Sequence, residues 1–138
     1  MKSKIMIVFS ILLLSCLLIS CEALENISFN SPTYTAKQFM NALNSDNPSK
    51  ALDKICESMA IPSIPEKTLK DLDYEEQYRD EKTVQVRVTG EIRLEDPDLG
   101  ALKKNLDFVL FLEKDGKDWC IQRESLISIF DSIIDLSY

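Results

Sequence analysis

The chain has 138 residues, with 16 basic and 23 acidic side chains and a formal charge of −7. Phosphate backbones want a positive surface, so this balance argues against a nucleic-acid partner. Histidine is absent, which removes the usual general base, the commonest metal ligand and any serine–histidine or cysteine–histidine nucleophile.

Lys2 and Lys4 precede sixteen uncharged residues, Ile5 to Ser20. Basic residues, an apolar run and small residues near its end are the layout of a secretory signal. A bilayer-spanning helix needs about 20 apolar residues, so this run is short for a permanent span. At its end stand Leu18, Ile19, Ser20 and Cys21, just before the carboxylate of Glu22. This tetrapeptide resembles the lipobox of bacterial lipoproteins. The resemblance implies that the Cys21 thiol takes a diacylglyceryl group, that cleavage falls just before it, and that the new amino terminus is often acylated too. Two or more acyl chains anchor a protein where one holds poorly. Leu13, Leu14, Ser15 and Cys16 form a second match. Cleavage there would leave Leu17 to Ile19 on the mature end, so Cys21 is the better site. The plainer alternative is an ordinary signal peptide with an incidental cysteine.

Loss of residues 1–20 removes two lysines and no acidic residue, leaving 118 residues and a net charge of −9. That is enough chain for one domain with its own core. Its negative charge argues against lying flat on anionic lipid. Residues 21–30 read as a tether and residues 31–138 as the folded domain.

Ser31 and Pro32 suit the cap and first position of a helix. Ala36, Phe39, Met40 and Leu43 follow at helical spacing. A polar break, Asn44 to Asn47, leads to Pro48 and a second predicted helix. Its apolar face holds Ala51, Leu52, Ile55, Cys56 and Met59. The pair should form a helix hairpin. Residues 61–65 are a connector, and Glu66 to Leu72 suit one further helical turn.

The period then becomes two. Leu72, Tyr74, Glu76 and Tyr78 fall on one side of a strand. Val84, Val86, Val88, Ile92 and Leu94 share one face of the clearest strand, with Gln85, Arg87, Thr89, Glu91 and Arg93 opposite. Gly90 stands on the apolar side, where a bulge or bend is expected. A third strand points Leu106, Phe108, Leu110 and Leu112 inward and Val109 and Phe111 outward. Asp115-Gly116 signals a tight turn into a fourth strand with Trp119 and Ile121 inward. Leu126, Ile129, Phe130, Ile133 and Ile134 suggest a closing helix, with a strand as the alternative.

Two phrases, SPTYTAKQFMNALNSDNPSKALDKI and LDFVLFLEKDGKDWCI, carry a further resemblance. Together they resemble the function-unassigned, cystatin-like branch of the nuclear-transport-factor-2-like superfamily, over about Ser31 to Ile121. The resemblance implies an α+β cone: an N-terminal helix hairpin packed on a curved antiparallel sheet, with a pocket at the open end. Enzymes of that superfamily usually carry an aspartate–histidine pair. This chain has no histidine to match, so no catalytic residue is carried over.

Phe39, Tyr74, Glu76, Val86, Phe108 and Trp119 are the candidate pocket residues. Glu76, placed inward between two phenols, would be an acid of raised pKa or a ligand hook. The plainer reading has it facing water. Cys56 and Cys120 are the remaining cysteines. An oxidising compartment favours a disulfide between them, and closing a 64-residue separation adds about 4 kcal/mol in the chain-entropy account. Strand alternation argues the other way, because it puts Cys120 on the face opposite Trp119 while Cys56 should face the Trp119 side. Two thiols without histidine make a poor zinc set, and neither a metal nor a cofactor is expected. Val109, Phe111 and Cys120 make the outer sheet face partly apolar. It is either a partner surface or the bed of the closing helix.

The function expected from these features is a lipid-anchored, extracytoplasmic, non-enzymatic domain. It would bind an envelope protein or a small apolar ligand. The alternative is a carboxylate-dependent isomerase or cyclase working in the cone pocket.

Overall fold

The computed structural model describes residues 30–61 and 64–134. The expected signal segment, residues 1–20 with Cys16, and nearly all of the expected tether, which begins at Cys21, lie outside the described residues. The architecture is α+β, with a four-stranded antiparallel sheet in the order β1-β2-β3-β4 and a C-terminal helix. The strands are β1 (Leu69–Arg79), β2 (Thr83–Asp96), β3 (Gly100–Asp115) and β4 (Asp118–Ile121). Helix α1 spans Pro32–Leu43 and helix α2 spans Arg123–Ile134. Among the described residues no helix is long and apolar enough to cross a membrane.

Helix α1 starts where the cap chemistry places it. Ser31 is extended, and its Oγ accepts from the Tyr34 N–H at 3.1 Å. Ala36, Phe39, Met40 and Leu43 are fully buried. Each large side chain so buried contributes about 1.5–3 kcal/mol. Asn44 does more than break the helix. Its side-chain amide donates to the Leu69 carbonyl at 2.9 Å and accepts from the Leu69 N–H at 3.0 Å. That pair ties the end of α1 to the start of β1.

The second predicted helix is not formed as expected. Pro48–Lys54 is a 3-10 helix, and Ile55 is already extended. Asn47 makes no side-chain cap; its Oδ1 accepts from the Ser49 hydroxyl instead. Ile55 then joins Ile121 in a parallel bridge, and the Cys56 N–H donates to the Ile121 carbonyl at 3.0 Å. The edge of β4 thus takes the backbone that a longer helix would have used. Of the expected face, Ala51 is buried and Leu52 is exposed. Residues 66–67 form a turn, not a helical turn running to Leu72, with Lys67 at φ 61°.

Strands β2 and β3 pair without a break from Thr83↔Glu113 to Asp96↔Gly100. Val84, Val86, Val88, Ile92, Leu106, Phe108, Leu110 and Leu112 are all buried on one face, as the alternation predicts. The bulge expected at Gly90 sits instead on the neighbouring strand, where the β1–β2 register shifts between Lys70 and Asp73. Gly90 is what permits it. A Cβ there would lie 2.7 Å from Leu72 Cδ2 and 2.9 Å from the Lys70 carbonyl oxygen. Gly90→Ala is therefore expected to cost about 1–3 kcal/mol through overpacking. Denaturant melts of the variant and parent check it, and equal midpoints would contradict it.

Helix α2 closes the core, burying Leu126 and Ile129 among the inward residues of the sheet. Its start is tied to β3 by the Ser125 hydroxyl. That oxygen accepts from the Phe111 N–H at 2.7 Å and donates to the Phe111 carbonyl at 3.0 Å. The helix therefore does not use its buried side chains to cover Val109 and Phe111, which stay half-buried on the outer face. That face is laced by ion pairs, Arg87–Asp107 at 2.6 Å and Lys103–Glu91 at 2.6 Å. It is more polar than its apolar residues suggested.

Candidate functional site

The six candidate pocket residues separate into two groups. Phe39 and Val86 are fully buried, and Phe108 and Trp119 are 6% and 9% exposed. All four belong to one packed core. Tyr74 and Glu76 lie on β1, opposite Val88 and Val86. Directly opposed residues share a sheet face, so both point to the inward side.

Tyr74 packs against the core, and its hydroxyl is buried without a partner among the described residues. Burial pushes its phenol above the usual tyrosine range, because an ionised oxygen there would lose its water. Because folding raises the pKa of this phenol, its ionisation leaves stability unchanged below the unfolded value, about 10, and stability falls as pH rises beyond that value. Tyr74→Phe removes a polar atom that makes no bond, so it is expected to leave stability unchanged or raise it. It should also make stability less sensitive to pH above about 10. Urea melts of both proteins at neutral and alkaline pH check this; a marked loss at neutral pH would mean that the hydroxyl has a partner.

Glu76 differs from the expectation. It is inward by register but exposed at the sheet edge, and its pKa is lowered, not raised. The cause is Arg79, whose Nε and Nη2 donate to Glu76 Oε1 and Oε2 at 2.6 and 2.9 Å. A register shift between Glu76 and Tyr78 places Arg79 opposite Val84, on the same side as Glu76. The same shift turns Tyr78 outward, opposite Gln85, where it is exposed. A carboxylate held by a guanidinium fork is a weak base and is not a proton donor near neutral pH.

The Arg79 guanidinium also lies 5.9 Å from the centre of the Trp119 ring, and the Lys114 ammonium is equally close. Strands β1 and β4 are the two edges of the sheet, so Arg79 reaches from one edge to the other and closes that end of the core. Such cation–ring contacts contribute about 0.5–1 kcal/mol each at exposed sites. Neither Arg79 nor Lys114 was expected at the site. The three-residue spacing from Glu76 to Arg79 was visible, but only the bulge puts them side by side.

Cys56 and Cys120 form a disulfide, with Cα atoms 4.9 Å apart. The face argument against the bridge fails because it assumed that Cys56 lies on a helix. Once Ile55 is extended along β4, Cys56 runs beside Cys120 at the strand edge, and the faces of helix and strand no longer matter.

Three surface depressions lie away from the six candidate pocket residues. One of about 190 Å³ adjoins the disulfide, between Cys56, Glu113 and Glu124. One of about 280 Å³ runs along α2, between Met59, Ala60, Ile127 and Phe130. A third, lined by Lys67, Lys70 and Arg93, is at the opposite end of the sheet. Among the described residues no group of three acidic or cysteine side chains is placed to hold a metal ion.

No family model, curated protein or solved structure matches this chain.

Proposed function

We propose that the chain is a lipid-anchored, extracytoplasmic domain that works by binding another protein at the cell envelope, without chemistry of its own. The observation that most supports binding through the surface is the packing of Phe39, Val86, Phe108 and Trp119. The side chains that would line an apolar pocket fill the core instead. The neutralised Glu76–Arg79 pair likewise favours recognition over acid–base work. A cone-like relation to the nuclear-transport-factor-2-like superfamily, with α1 and the 3-10 helix as its hairpin, belongs to the same proposal. The reach of Arg79 across to Trp119, which calls for a curved sheet, is its support.

The anchor rests on the lipobox resemblance at Cys21. The Asn30 amide donates to the Lys117 carbonyl, so the tether would enter the domain beside the turn between β3 and β4. Ten residues, 21–30, extend at most about 35 Å, which would hold that turn close to the bilayer. Cells fed a labelled fatty acid are expected to tag the parent chain and not Cys21→Ser. A tag that persists moves the site to Cys16, and an untagged parent overturns the anchor. On its own membranes the tagged chain is expected to crosslink to a discrete protein. Release of a bound apolar small molecule on extraction would replace the protein partner with a ligand.

A further inference from the structure

Helix α2 has two apolar sides. One, with Leu126 and Ile129, is buried in the core; the other carries Ile127 and Phe130, which remain 57% and 37% exposed. Large exposed apolar side chains grouped beside a groove mark an interaction site more often than single scattered ones do. Here the groove runs between α2 and Met59–Ala60, with a volume of about 280 Å³. Its rim carries charge in a definite order. Arg123 stands one turn before Ile127 and Asp131 one turn after it. Both are exposed, and neither enters an ion pair among the described residues.

We propose that this face docks a second copy of the same chain, with the two α2 helices antiparallel about a two-fold axis at Ile127. A two-fold contact is self-complementary: if one residue touches a second, the second touches the first. Antiparallel helices centred on Ile127 bring residue 123 of each copy opposite residue 131 of the other. Arg123 then meets Asp131 twice, and each free charge gains the opposite charge. Ile127 meets its own copy at the axis, and each Phe130 lies toward the partner's groove. A parallel arrangement would set Arg123 against Arg123 and Asp131 against Asp131, which like-charge repulsion disfavours. The charge order thus selects both the partner and its direction. The proposal stands on the helix alone and does not depend on the lipid anchor. Confinement to a membrane would only raise the concentration at which the copies meet.

The test uses the full chain in mild detergent, followed by sedimentation equilibrium. The parent is expected to show a two-chain mass at tens of micromolar or below. Arg123→Asp should weaken association about tenfold, since two exposed pairs are lost per dimer. Asp131→Arg should do the same, and the double exchange should restore it. A short thiol crosslinker should join two copies of Ile127→Cys, and should not join Asp98→Cys in the distant turn between β2 and β3 beyond the level seen with the parent. Both positions are exposed, so neither variant is expected to compromise folding. A one-chain mass throughout this range overturns the proposal. So does a dimer indifferent to both charge reversals. A monomer whose residue 127 is shielded by phospholipid vesicles, or by residues 135–138 of its own chain, would assign the stripe to those occupants and overturn it equally.

Discussion

Replacing Cys56 or Cys120 with serine is expected to lower stability by about 4 kcal/mol, the chain-entropy value for a loop of this length. The bridge spans 64 residues, so the unfolded chain without it gains conformations that the folded chain does not use. The folded side of the balance changes little in this account. Its Cα separation of 4.9 Å lies within the usual disulfide range, so the fold is not distorted to make it. Denaturant midpoints read by tryptophan fluorescence check the effect, since Trp119 is the single tryptophan. The parent in reductant should fall to the level of the serine variants, and the variants should ignore reductant. A parent that is equally stable with and without reductant would show that the bridge is absent or contributes nothing. The loss should fall hardest on residues 55–61, which the bridge and one backbone hydrogen bond hold to β4. Their hydrogen exchange should quicken first.

Phe39→Ala is expected to cost about 3–5 kcal/mol, the usual loss for a large aromatic removed from a packed core. Phe39 is fully buried at the middle of the stripe that α1 turns to the sheet. The substitution also separates the two readings of the molecule. If Phe39 lined an open pocket, its loss would enlarge a space already wet and cost little. If it fills the core, its loss leaves a void that the neighbours close only in part. A cost below about 1 kcal/mol would favour the pocket and count against surface binding as the mode of action.

The elements that were legible in advance share one property: their burial pattern needs only near neighbours. Ala36, Phe39, Met40 and Leu43 recur at the helical period and Val84, Val86 and Val88 at the strand period, and each set lies on one buried face. Ser31 caps through a bond to Tyr34, three residues away. Asp115-Gly116 turns the chain because glycine accepts the positive φ found there, 62°. The closing helix likewise follows from Leu126 and Ile129.

The features that were missed are settled between distant parts of the chain. Helical spacing from Ala51 to Met59 lost to a backbone bridge with Ile121, and that contest also decided the disulfide. Phe39, Val86, Phe108 and Trp119, expected to line a pocket, pack in the core because volume is shared among α1, α2 and the sheet, and no single period records it. Glu76 kept its inward register but met Arg79 through a bulge. The pattern along α2 grouped Phe130 with Leu126 and Ile129, and only packing leaves it 37% exposed beside Ile127. Local periodicity settles what a segment can be, because it depends on bonds within a few residues. Which face is covered, which cysteines meet and which charges stay free depend on contacts between remote segments, and these exist only once the chain has packed.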